Sequence, residues 1–105
     1  MPLPDKRDHR ITLAEAKELT TRHRKESPKG GHAEFFHREA LDTLLAQPGC
    51  SGIRIYHGKG KGGEHHSVLV GVDAKGADLA DAGIMQQAFP CPPYCDTESP
   101  LKRDE

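Results

Sequence analysis

Tryptophan is absent from this chain, and Phe and Tyr together supply five of its 105 residues. Without large rings the core must be built from aliphatic side chains, yet hydrophobic residues of every kind make up only 34% of the total. Long apolar runs are missing too. No segment approaches the ~20 residues that span a bilayer, so no membrane partner is expected. The opening Met1-Pro2-Leu3-Pro4-Asp5-Lys6 lacks the apolar stretch of a secretory signal, which makes the cytoplasm, with reduced thiols, the expected location. Neither sign of charge dominates: the formal balance is −1. That excludes a globally basic nucleic-acid binder, and no specific nucleic-acid binding is expected. Cysteine is scarce, and its odd count of three argues against a fully paired disulfide framework.

What is present reads as one small, heavily solvated domain. Residues 1–10 are Pro-rich and charged, which predicts a disordered tail. Thr12-Leu13-Ala14-Glu15 is a capping box, with Ile11 at the staple position. The helix it starts should reach about Lys25, with Leu13, Ala16 and Leu19 as a thin apolar stripe, and Ser27-Pro28-Lys29-Gly30-Gly31 breaks it. Phe36, Ala40, Leu41, Leu44 and Leu45 give a second, broader apolar face. This helix starts anywhere from Ala33 to His37, because Glu34-Phe35-Phe36 also fits an extended path. Pro48-Gly49 stops it.

Beyond that point the period changes to two. Ile53 and Ile55 alternate with Arg54 and Tyr56, then Val68, Val70 and Val72 with Leu69 and Gly71, across a loop rich in Gly and Lys. A lone ribbon is marginal, so Ile84 to Phe89 is read as a third short strand, with Asp78 to Asp81 as an alternative helical turn. The expected architecture is α+β, with two helices packed on a small, mainly antiparallel sheet made of a β-hairpin and a third strand. Residues 11–95 form the domain, and 96–105 a flexible C-terminal tail.

Cys91-Pro92-Pro93-Tyr94-Cys95 is the most distinctive stretch. Two thiols this close can bind a soft metal such as zinc or copper, close a disulfide, or cycle between states. Cys50 or His57 would be a third ligand to such a metal. The bland reading is that the two prolines pin an extended tail and Tyr94 packs on the domain. The spacing is neither the C-x-x-C of thioredoxin-type sites nor half of a paired zinc ribbon. Over five residues, Cys91, Pro92 and Cys95 resemble the C-P-x-x-C copper site of the Sco family of copper chaperones. That family carries its motif early in a thioredoxin-like domain; here it lies near the end of a shorter chain.

Seven histidines are many for this length. His65 and His66, on adjacent strand positions, face opposite ways, while His57 and His66 fall near each other across the hairpin. A site of His57, His66 and Glu64 is conceivable beside the simpler reading of solvated surface imidazoles. Gly58-Lys59-Gly60-Lys61-Gly62-Gly63 does not match a phosphate loop, and no helix follows it. Lys59 and Lys61 offer at most a weak, salt-dependent polyanion contact. Arg54 and Tyr56 share one strand face. Arg54 can pair with Asp73 or Asp78 as a sheet-edge ion pair, or the group can floor a small anion-binding pocket. For Ser51, Ser67 and Cys50 the spacing shows no nucleophile–base–orienter arrangement, a partner being left for the fold to supply.

The runs Glu39-Ala40-Leu41, Leu44-Leu45-Ala46-Gln47-Pro48-Gly49-Cys50 and Gly52-Ile53-Arg54-Ile55-Tyr56, with the closing Cys-Pro-Pro-Tyr-Cys, resemble a group of small bacterial proteins to which no activity is attached. The resemblance spans about residues 11–101 and implies a bacterial origin and one compact domain. It points to Cys50, Arg54, Tyr56, Asp78, Cys91 and Cys95 as positions of interest, without roles. The functional expectation is a non-enzymatic binding or accessory domain whose partner is another protein and which needs no cofactor. The alternative is a metal- or thiol-handling protein using Cys91 and Cys95. A weaker third reading is an enzyme on the Arg54/Tyr56 face.

Overall fold

In the computed structural model, which describes residues 3–28, 30–81 and 83–102, the chain divides into two compact units. One is Phe36–Ala88 with Met1–Asp5, the other Lys6–Phe35 with Phe89–Glu105. Parts of the expected tails, at Met1, Pro2 and Arg103 to Glu105, lie outside the described residues, as does Lys29 of the expected helix break. The α+β class is observed, but the strands belong to two small antiparallel sheets rather than one.

The unit Phe36–Ala88 holds α2 (Arg38–Leu45), β2 (Cys50–Lys59), β3 (His65–Asp73) and β4 (Ile84–Met85). The β2–β3 hairpin pairs Ile53 with Gly71, Ile55 with Leu69 and Lys59 with His65. An irregularity between Cys50 and Gly52 bulges the first strand at its start. After β3 the chain reverses at Asp73, whose carboxylate accepts from the N–H groups of Lys75 and Ala77, both at 2.9 Å. Gly76 completes this turn at φ +90°, a value that favours glycine. The chain then returns along the free edge of β3. Asp78 bridges Val72, and β4 pairs Leu69 with Met85 and Val70 with Ile84. Residues 78–81 are therefore an extended bridge and a turn, not a helical turn, and the third strand is confirmed but two residues long.

Bordered on both sides, β3 buries Leu69, Val70, Gly71 and Val72 in succession. Helix α2 backs one face. Gly71 permits its close approach: a Cβ there would meet Cys50 Sγ at 3.1 Å and the Leu44 carbonyl oxygen at 3.3 Å. Leu44, with no exposed surface, is the helix residue committed to this core. The helix begins at Arg38 because the preceding Ala33 to Phe35 is recruited into a strand, as the extended alternative allowed.

In the other unit, α1 (Leu13–Glu26) starts at the expected capping box. Glu15 N–H donates to Thr12 Oγ1 at 3.1 Å, and Thr12 N–H to Glu15 Oε1 at 3.0 Å. Its apolar stripe is not its packed face, however: Leu13 and Leu19 are 57% and 56% exposed. Of that stripe only Ala16 is half-buried; with half-buried Thr20 and buried Arg24, spaced by fours, it makes the inward line. Arg24, 8% exposed, donates to the Leu101 carbonyl at 2.5 Å and to Thr21 Oγ1 at 3.2 Å. A hydrogen-bonded guanidinium on an apolar stem can take an inward place that the thin leucine stripe would otherwise fill. Strand β1 (Ala33–Phe35) pairs with β5 (Phe89–Cys91), setting Ala33 opposite Cys91 and Phe35 opposite Phe89. Residues 96–102 follow in turns closed by Ser99 N–H on Asp96 and Lys102 N–H on Ser99.

Leu44→Ala should cost about 2–5 kcal/mol in denaturant unfolding, whereas Leu19→Ala, on an exposed position, should change stability by less than about 1 kcal/mol.

Candidate functional site

The Cys-Pro-Pro-Tyr-Cys stretch folds back on itself at the end of β5. Cys91 and Cys95 are joined by a disulfide, with Cα atoms 4.8 Å apart. Both the Cys91–Pro92 and Pro92–Pro93 peptide bonds are cis. Tyr94 N–H donates to the Pro90 carbonyl at 2.9 Å, Cys95 N–H to Pro93 at 2.9 Å, and His32 N–H to Cys91 at 2.7 Å. Cys91 is buried, while Pro92, Pro93 and Tyr94 are exposed, Tyr94 at 64%. The Tyr94 ring meets Phe89 edge-on, 5.3 Å between centroids. The tail is thus a closed loop rather than an extended one, and Phe89, which the sequence reading left in the third strand of the sheet, is its aromatic footing.

Of the other thiol-linked candidates, Cys50 is free, half-buried, and donates to the Gly52 carbonyl at 3.2 Å. His57 stands opposite Ser67, not His66, and its ring lies 5.6 Å from that of His65. His66 reaches Glu64 at 3.4 Å and Gln86 at 2.9 Å. The imagined His57–His66–Glu64 set therefore separates, because the one-residue offset in register puts His57 and His66 on opposite faces. Gln86 was not legible as a partner, since only β4 pairing brings it to the sheet. Among the described residues no three His, Cys, Asp or Glu side chains gather as a metal site would require.

Arg54, Tyr56 and Asp78 do come together. Arg54 donates to Asp78 at 2.5 Å and to the Gly76 carbonyl at 3.2 Å, and the Tyr56 hydroxyl donates to the other Asp78 oxygen. The hydrogen bond from Tyr56, then that from Arg54, holds the Asp78 carboxyl below the ordinary carboxylate range against partial desolvation. The same carboxylate pushes the Tyr56 phenol and the Arg54 guanidinium up. The cluster ties the segment after the Asp73 turn to β2, and Arg54–Asp78 is one of the two ion pairs expected for Arg54. Lys59 is exposed opposite His65, and Lys61 is exposed in the hairpin loop. Ser67 Oγ lies 3.2 Å from His65 Nε2, two residues back along the same strand, a neighbour the sequence itself already held.

No family model, curated protein or solved structure matches this chain.

Two outcomes follow. Asp78 ionises more readily folded than unfolded, so its contribution is complete above the unfolded carboxylate range and is lost as pH falls through its lowered value. Denaturant midpoints measured against pH should fall in that acid window, and Asp78→Asn should flatten this part of the profile. Replacing both bridged cysteines by serine should cost about 2 kcal/mol, the chain-entropy value for so short a loop, read by chemical unfolding.

Proposed function

We propose that this protein is a non-enzymatic binding module that engages another protein through Pro92, Pro93 and Tyr94 of the bridged loop. The observation that supports this is an exposed aromatic–proline surface closed into a ring by Cys91–Cys95 and footed on Phe89. Tyrosine offers a large contact area for few rotatable bonds. Covalent closure lowers the ordering cost that binding otherwise carries. Elsewhere, Arg54, Tyr56 and Asp78 satisfy one another, which fits a brace better than a site for turnover. His65, next to Ser67, is exposed to competing water on the hairpin.

A second reading, a thiol-handling protein, is favoured by the bridge itself together with the cytoplasmic location we propose, where disulfides are chiefly redox elements. A zinc or copper role would belong to the reduced pair only, because bridged sulfurs are not thiolate ligands.

A partner captured by the wild-type protein and then purified should bind Tyr94→Ala at least about tenfold more weakly. Ile55→Ser, at an exposed position of the β2–β3 hairpin, should bind as wild type. Isothermal titration of both variants checks this, and undiminished affinity of Tyr94→Ala would defeat the reading.

A further inference from the structure

The two sulfurs of the bridge are not equivalent. Cys91 lies within β5 and is 5% exposed, whereas Cys95 lies past the loop and is only partly covered. Thiol–disulfide exchange proceeds by attack of a thiolate on one sulfur, and access helps decide which sulfur receives it. We propose that Cys91–Cys95 is a reversible exchange site with a fixed direction: external thiols enter at Cys95, and Cys91 departs as the thiolate.

The thiolate of a small or protein-borne thiol adds to Sγ of Cys95. The Cys91–Cys95 bond breaks, and its electron pair leaves on Sγ of Cys91, which takes a proton from water. A second external thiolate then attacks the outer sulfur of the mixed disulfide, releasing an external disulfide and the Cys95 thiolate. Two external thiols are oxidised, and the bridge takes up two electrons and two protons. An external disulfide runs the sequence backwards.

The backbone around the bridge accommodates both states. Beside the Tyr94–Phe89 ring contact, this segment carries main-chain hydrogen bonds: His32 to Cys91 at 2.7 Å, Tyr94 to Pro90 at 2.9 Å and Cys95 to Pro93 at 2.9 Å. None of them uses a sulfur. A freed Cys91 thiol is small and weakly polar, so it suits the same buried place, and the loop stays poised to close again. Reduction therefore opens the ring around Pro92, Pro93 and Tyr94 while β5 remains paired with β1. The chemistry stands independently of what the loop binds. Only its regulatory meaning, that the surrounding thiol pool sets the state of the contact surface, rests on the binding reading.

The test uses the whole chain and no partner. In the reduced wild-type protein, iodoacetamide should modify Cys95 at least about tenfold faster than Cys91, with Cys50 followed separately by peptide mapping. Treated with 2-hydroxyethyl disulfide, Cys91→Ser should accumulate a mixed disulfide at Cys95, while Cys95→Ser should leave Cys91 unmodified over the same interval. Equal reactivity of the two thiols, or faster reaction at Cys91, overturns the proposal. So does a bridge that dithiothreitol reduces only once the protein unfolds, followed by backbone amide exchange. The wild-type alkylation decides the matter alone if either serine variant fails to fold. Directional exchange with unchanged Tyr94→Ala binding would defeat the binding reading and sustain this one; the converse pattern would do the reverse.

Discussion

In the unit Phe36–Ala88, the controlling constraint is that β3 is paired along both of its edges. With β2 on one side and β4 with the Asp78 bridge on the other, β3 is flanked on both edges over Leu69 to Val72, and that stretch can be withdrawn from water. Four consecutive positions, Leu69 to Val72, are then free to be buried. Gly71 lets the end of α2 close on one face, and Leu44 fills the space beneath that helix. The Arg54–Asp78–Tyr56 cluster has its meaning in this frame, since it ties down the segment that returns along the second edge. Losing that return would expose one side of a strand too apolar to stand at a sheet margin.

The unit Lys6–Phe35 with Phe89–Glu105 solves a different problem with fewer apolar residues. Its helix turns a cationic side chain inward, and Arg24 meets the carbonyl of Leu101. Its strands are three residues each, and a covalent link closes the loop that follows them. Small units with thin cores commonly lean on such staples. Here the staple also closes the exposed loop.

Local signals in the sequence were reliable where one element sufficed. The capping box placed the start of α1, the second stripe marked the core helix through Leu44 although its Leu45 is 50% exposed and Phe36 precedes the helix, and the alternation from Ile53 to Val72 gave the hairpin. Even Arg54 with Asp78 was among the pairings that strand parity allowed. What was hidden depends on contacts between distant segments. Nothing in Ala33 to Phe35 announces that it pairs with Phe89 to Cys91, a partner strand that contains a proline. The inward face of α1 was misread because hydrophobicity ranks Leu19 above Arg24, and only the folded Leu101 carbonyl reverses that order. For Cys91 and Cys95 the spacing left metal, bridge and cycling open; chain reversal at Pro92 and Pro93 brings the sulfurs to bonding distance.

Pro90 carries a consequence for how any partner can attach. In an antiparallel ribbon the main-chain groups of alternate residues point to the same side. Since the Cys91 carbonyl turns toward β1 to accept from His32, those of Pro90 turn outward. Proline has no N–H to offer there, and its carbonyl already accepts from Tyr94. The outer margin of β5 is therefore closed to strand addition. A visiting chain cannot extend this ribbon by backbone pairing along β5; a contact made on that margin has to use side chains.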